Sequence, residues 1–202
     1  MFPHASDAGF PDPVADCSID DYGAIGDCRT LALVSRFGSI DWWCTPDFSS
    51  PSCFASLLDR GRGGRFALTP RGVRQARQAY LPDTNVLCTR IDCEGGALEL
   101  LDFMPVPEAG GPGGDGHAPQ EIVRIVRCVG GEVVLHALFD PRPDYARAGC
   151  RFELAHPGQW ACTGGGFSAL LVTSLPLGPA AQGLGGTVRL RAGERHVALL
   201  HA

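Results

Sequence analysis

The stretch Glu121-Ile-Val-Arg-Ile-Val-Arg-Cys-Val-Gly-Gly-Glu-Val-Val-Leu-His-Ala-Leu-Phe-Asp140 decides the fold class. Two apolar runs, 121–129 and 132–140, flank Gly130-Gly131. In the second run Val133, Leu135, Ala137 and Phe139 share one strand face, and Val134, His136, Leu138 and Asp140 share the other. A glycine pair between two such runs reads as a β-hairpin with a two-residue turn. A face that mixes Val, Leu and His is at least partly covered, which calls for a second layer.

The same pattern extends in both directions. Leu31–Arg36 and Ser39–Cys44 flank Phe37-Gly38 and read as a hairpin. Phenylalanine disfavours positive φ, so a type I turn with Gly38 in a bulge is expected there. Ser50-Pro51 reads as an N-cap and first position of a brief helix through Phe54 and Leu57-Leu58, ending before Gly61. Further strands are expected at Arg65–Thr69, Asn85–Asp92, Ala97–Met104, Arg151–Ala155, Phe167–Thr173, Thr187–Leu190 and His196–His201. Residues 105–119, dense in Gly and Pro, read as a flexible surface loop joining two strands of one sheet. Residues 1–18 read as a flexible leader, and 19–202 as one domain. The expected fold is all-β: a two-layer antiparallel β-supersandwich with one short helix.

Composition excludes several functions. The net charge is −5, and no basic cluster is dense enough to follow a phosphate backbone, so nucleic acid is not an expected partner. The start of the chain lacks a charged n-region and an apolar h-region, and no apolar run has the length of a membrane span. A cytoplasmic protein without membrane contact is the expectation. The nine cysteines are odd in number, contain no CxxC pair and sit mostly among apolar residues, so they read as buried thiols, with no metal site expected. The chain has no lysine, which rules out a Walker phosphate loop, and no G-x-S-x-G elbow. The six histidines are scattered and read as surface or hairpin residues.

Carboxylates matter more, because two suffice for glycoside hydrolysis. Asp41, Glu99 and Asp102 lie among apolar strand neighbours. A buried carboxylate can act as acid or base if its pKa is shifted. The plainer reading, which is preferred, is that each accepts hydrogen bonds from backbone N–H groups at a hairpin end. Trp42-Trp43 is the most suggestive local feature. Adjacent strand residues face opposite sides, so one indole enters the core. The other is either covered by a neighbouring layer or exposed as a sugar-stacking or protein-contact surface.

Several segments together resemble a known family. Asp21-Tyr-Gly-Ala-Ile-Gly-Asp-Cys-Arg-Thr30, Leu33-Val-Ser-Arg-Phe-Gly-Ser-Ile-Asp-Trp-Trp-Cys44 and Ser50-Pro-Ser-Cys-Phe-Ala55 are similar to the trehalase-like N-terminal domain. That domain precedes the catalytic barrel of prokaryotic glycoside hydrolase family 15 proteins (glucoamylases, glucodextranases and trehalases). Tyr80-Leu-Pro-Asp-Thr-Asn85, Leu101-Asp-Phe-Met-Pro105 and Asp140-Pro-Arg-Pro-Asp-Tyr145 continue the resemblance, which covers about Ile19 to Tyr145.

The resemblance implies a supersandwich beside an (α/α)6 barrel, joined to it in cis or in trans, in which two barrel glutamates hydrolyse α-linked glucose with inversion. It implies no metal or other cofactor, and contact with the α-glucoside substrate only through the barrel. Such a barrel does not fit after Ala202, so no catalytic residue is carried onto this chain. The tract Asp41, Trp42, Trp43, Pro46, Asp47 and Phe48 is the expected rim or barrel interface. It departs from the family, whose tract resembles Pro-Arg-Phe-Asp-Ser-Pro, by carrying Asp47 and Ser49. Ala79 likewise stands where the family often has Arg. A free-standing carbohydrate-binding module and a truncated product without activity are the competing readings.

Overall fold

The computed structural model describes residues 17–106 and 120–202. Most of the leader and of the Gly/Pro-rich loop therefore lie outside the described residues. The chain opens with a 3-10 turn, Ile19–Asp21, and then lays down β1 (Tyr22–Gly26), β2 (Leu31–Ser35), β3 (Ser39–Cys44), β4 (Ser52–Phe54) and β5 (Arg65–Pro70). Next come β6 (Val73–Tyr80), β7 (Leu87–Cys93), β8 (Gly96–Phe103), β9 (Glu121–Asp140), β10 (Arg151–His156), β11 (Gln159–Gly164) and β12 (Phe167–Thr173). The last three are β13 (Gly178–Pro179), β14 (Leu184–Arg191) and β15 (Arg195–His201).

All pairings are antiparallel, and they form two layers. The first runs β1-β2-β3-β5-β9-β14-β13, with β4 added to β3. The second runs β6-β7-β8-β9-β15-β12-β11-β10. The all-β, sandwich-like architecture is the expected one. One core lies between the layers: Trp43 of β3 meets Phe167 of β12 edge-on at 6.4 Å, and Phe139 of β9 meets Phe152 of β10 at 6.1 Å. Among the described residues no helix is long and apolar enough to cross a membrane.

The decisive stretch corrects the sequence reading. Residues 121–140 form one 20-residue strand, not a hairpin. Its first half pairs with β8 and β15, and its second half with β5 and β14. Both edges of both halves are thus taken by other strands, and the halves have no edge left for each other. The core-facing residues are Ile122, Arg124, Val126 and Cys128, then Val133, Leu135, Ala137 and Phe139. The parity changes because Val129 is an extra residue between the pairs Leu98–Cys128 and Ala97–Gly130, a β-bulge. A bulge and a turn both break the alternation, so the pattern alone does not separate them.

Gly131, facing Gly96 of β8, instead permits close approach. A Cβ on Gly131, whose φ is +66°, would lie 2.1 Å from the Gly95 carbonyl oxygen, and one on Gly96 would lie 2.2 Å from that of Gly130.

The helix expected from Ser50 is also absent. β5 pairs with β3 only at Ser39 and Ile40, which leaves the edge of Trp43 and Cys44 unpaired. Ser52–Phe54 fills that edge as β4. A short isolated helix has no comparable compensation. Among the described residues the one short α-type segment is a turn at Pro143–Ala146, where Asp144, Tyr145 and Ala146 have positive φ. The Phe37-Gly38 turn forms as expected, with Gly38 at φ +88° and its N–H donated to the Ser35 carbonyl.

Arg124 binds the layers together. Its side chain and that of Asp102 on β8 are both fully buried. Nε donates to Asp102 Oδ1 at 2.8 Å, Nη1 to the Phe66 carbonyl, and Nη2 to the Gly38 carbonyl at 2.8 Å. The guanidinium carbon stands 4.9 Å from the Phe66 ring centroid. One side chain of the second layer thus satisfies two carbonyls of the first.

Arg124→Met leaves a buried carboxylate without its partner, and urea unfolding of the chain should show a loss of about 3–5 kcal/mol. Arg124→Met with Asp102→Leu should recover most of that loss. A double variant as unstable as the single one would contradict this account of the pair.

Candidate functional site

Asp41 is the extra residue of a second bulge, between the pairs Val34–Ile40 and Leu33–Trp42. The bulge turns its carboxylate into a pocket of hydroxyls. Tyr22 Oη donates to Oδ2 at 2.8 Å, while Ser39 Oγ at 2.5 Å and Ser56 Oγ at 2.7 Å donate to Oδ1. Asp41 is buried. Burial, followed by the charge and hydrogen bond of Asp41, pushes the Tyr22 phenol well above its ordinary value.

Glu99 is engaged by Arg127 at 2.5 Å and Arg90 at 3.1 Å, and these bonds, Arg127 foremost, hold its carboxyl below the usual range. Asp102 is consumed by Arg124. The expectation that backbone N–H groups would satisfy these carboxylates is corrected: the groups that meet them are hydroxyls and guanidiniums, most of them made available by distant strands.

Trp43 lies in the core against Phe54 at 5.9 Å, and its Nε1 is buried without a hydrogen-bond partner. Trp42 is half-buried on the opposite face of β3. Pro46, Asp47 and Phe48 are exposed, Phe48 by 58%.

The turn that carries Phe48 is tightly held. Asp47 Oδ1 accepts Ser49 N–H at 2.9 Å and Ser49 Oγ at 2.7 Å, and Ser50 N–H donates to the Asp47 carbonyl at 3.1 Å. Hydrogen bonds from Ser49 and Ser50 hold the Asp47 carboxyl below its ordinary value. Phe48 N–H donates to the Arg29 carbonyl at 3.1 Å. Gln120 anchors the far side, donating to the Pro46 carbonyl and accepting from Thr45 Oγ1. Ser49, where a departure from the family tract stands, thus closes this turn.

The other quoted segments act as joints. Asp27 Oδ1 accepts the N–H groups of Arg29 and Thr30, both at 2.9 Å, and the Thr30 hydroxyl donates to the Cys44 carbonyl. Tyr80 Oη donates to the Ala24 carbonyl at 2.6 Å, and Asn85 Nδ2 to that of Met104 at 3.1 Å. Arg142 N–H donates to the Cys53 carbonyl at 2.8 Å, and its Nε bonds Asp140 at 2.8 Å. Segments far apart in sequence therefore meet at β1 and at β4. Gln120 and Tyr80 are not legible from the sequence as part of this arrangement, because their bonds span the sandwich.

All nine cysteines are free thiols; five are buried and Cys28 is exposed. Burial pushes the Cys53 thiol well above its ordinary value. Among the described residues no three His, Cys, Asp or Glu side chains converge as a metal site.

Residues 15–165 match the family described as trehalase-like, N-terminal. The chain belongs to that family. It is 36% identical to a trehalase of Mycolicibacterium smegmatis over 154 residues, 69% of this chain and 22% of the relative. A trehalase of Mycobacterium tuberculosis is 33% identical over 146 residues, 67% of this chain and 21% of the relative. A trehalase of Thermoplasma volcanium is 44% identical over 92 residues, 44% of this chain and 15% of the relative. The chain spans about a fifth of the length of the mycobacterial relatives it matches. No solved structure matches it. The trehalase-like N-terminal match ends within the sequence, yet β12, β14 and β15 beyond residue 165 pair with β11 and β9 and belong to the same two layers.

Asp41 and Phe48 should separate cleanly on unfolding. Asp41→Ala strands the hydroxyls of Tyr22, Ser39 and Ser56 and should cost about 3 kcal/mol. Phe48→Ser should stay within about 0.5 kcal/mol of wild type, because the residue is largely exposed. Urea titration of both variants checks this; comparable losses would contradict the assignment of Phe48 to an outward role.

Proposed function

We propose that this domain is the non-catalytic N-terminal part of a glycoside hydrolase family 15-type enzyme that cleaves α-linked glucose, of the trehalase or glucoamylase kind. It supports a catalytic (α/α)6 barrel, and the Asp41–Pro51 tract contributes to the rim or interface of that barrel. The barrel provides the acid and base and contacts the substrate; no metal or other cofactor is required of this domain.

The observation that carries the reading is Phe48: a large apolar ring held out in solvent by a hydrogen-bonded turn. Covering such a ring contributes about 2 kcal/mol, and the turn has already lost the entropy that docking would otherwise cost. The family membership and the trehalase relatives support a sugar-hydrolase setting. The engagement of Asp41, Glu99 and Asp102 supports the non-catalytic role, since each carboxylate already holds structural partners. The free thiols agree with a reducing compartment, and we place the protein in the cytoplasm.

The chain alone should release no glucose from trehalose or maltose, and calorimetry should show no saturable binding of either sugar. The M. smegmatis trehalase should lose soluble activity when its matching segment is deleted, and regain it when this chain is put in that place. Saturable maltose or trehalose binding by the chain alone would instead make it a free-standing carbohydrate-binding module.

A further inference from the structure

The outer face of the second layer is apolar where a solvent face should be polar. The inner face of β8, β9 and β15 is the core, built from residues such as Leu100, Val126 and Leu200. The opposite face carries Leu101 and Phe103 on β8, Val123 and Ile125 on β9, and Val197 and Leu199 on β15. These six sit in register as two rows, Leu101–Ile125–Val197 and Phe103–Val123–Leu199. Val172 on β12 extends the second row. Five of the six are half-buried, and Val197 is 38% exposed. An antiparallel sheet with one free face normally alternates apolar-in with polar-out. The first layer is more polar at the corresponding place, where Thr69, His136 and Thr187 stand in line between Val134 and Leu138 of β9.

A charged row borders the patch. Arg77, Arg90, Glu99, Arg127 and Arg195 are cross-strand neighbours from β6 to β15. Glu99 pairs with Arg90 and Arg127. Among the described residues no carboxylate pairs with Arg77 or Arg195. Along the strands in the other direction the apolar rows end at Glu121 and His201, cross-strand neighbours whose side chains meet at 3.1 Å.

We propose that this face is where the rest of a trehalase-type polypeptide packs in cis, as a folded domain with an apolar surface and an acidic rim that meets Arg77 and Arg195. This rests on the proposed function above and adds the surface and the chemistry of its partner. Strand spacings put the patch on the order of 250 Å². Two copies face to face would bury roughly 500 Å², well short of the ~1,200 Å² of a stable dimer. A tethered domain needs less, because the linkage sets a high effective concentration. The mycobacterial relatives supply such a tether, since the match spans only 22% and 21% of their lengths.

Ile125→Lys and Val197→Lys test the face, with Thr187→Lys on the first layer as the control. In the 202-residue chain the two patch variants should keep the wild-type unfolding midpoint but lower the fluorescence of bound anilinonaphthalene sulfonate several-fold; the control should not. In the M. smegmatis trehalase carrying this chain as its N-terminal segment, each patch variant should shorten the heat-inactivation half-life about tenfold, with the control unchanged. Unaltered dye binding, or unaltered half-lives with Phe48→Ser still harmful, would overturn the face and leave the partner-domain reading standing. An inactive wild-type chimera, or one indifferent to deletion of the whole segment, would overturn that reading and this inference with it.

Discussion

The structure depends on a guanidinium in its core. Arg124 is an unusual residue to bury, because a charge out of water is costly unless every donor and its counter-charge are in place. Here they are: Asp102 supplies the charge, and Phe66 and Gly38 supply carbonyls from the facing layer. The arrangement works only if β5, β8, β9 and the β2–β3 turn are all correctly placed. It therefore selects one stacking of the layers over others that would bury similar apolar area. The long strand β9 performs the covalent counterpart of this task, running from one layer into the other and flanked by partners throughout.

Much of this was legible in the sequence. Period-two alternation gave β7, β8, β12 and β15 to within a few residues, and Phe37-Gly38 gave the β2–β3 turn. What failed did so for identifiable reasons. Gly130-Gly131 signals a change in strand parity, and a bulge changes parity as a turn does; only the neighbouring strands distinguish the two. β6, with its polar Arg-Gln-Ala-Arg-Gln segment, lies at the edge of a layer and exposes much of both faces, so it has no alternation to read. Ser50-Pro51 carried helix-start chemistry, but the unpaired edge of β3 overrode it. The two-sided apolar pattern Ile122-Val-Arg-Ile-Val126 was visible, yet its outer half acquires meaning only beside Leu101 and Val197.

The candidate site divides in the same way. That one indole of Trp42-Trp43 enters the core follows from strand geometry alone; that it is Trp43 does not. The fates of Asp41, Glu99 and Asp102 do not, because hydroxyls and guanidiniums from distant strands meet them. These carboxylates serve the domain's own stability, while the groups left facing outward are apolar: the Phe48 ring and the outer rows of the second layer. A domain so arranged is suited to holding another domain in place.

The most direct test of the central claim, that β9 is one strand joining both layers into one folding unit, is amide hydrogen exchange at its crossing. The N–H groups of Cys128, Glu132 and Ala192 donate to the carbonyls of Glu194, Gly95 and Gly131, each at 2.9 Å. All three should exchange only through global unfolding, with the same free energy as amides in the core of either layer. Rapid exchange confined to 130–132, with protected strands on both sides, would mean a turn at Gly130-Gly131 and would contradict the shared strand.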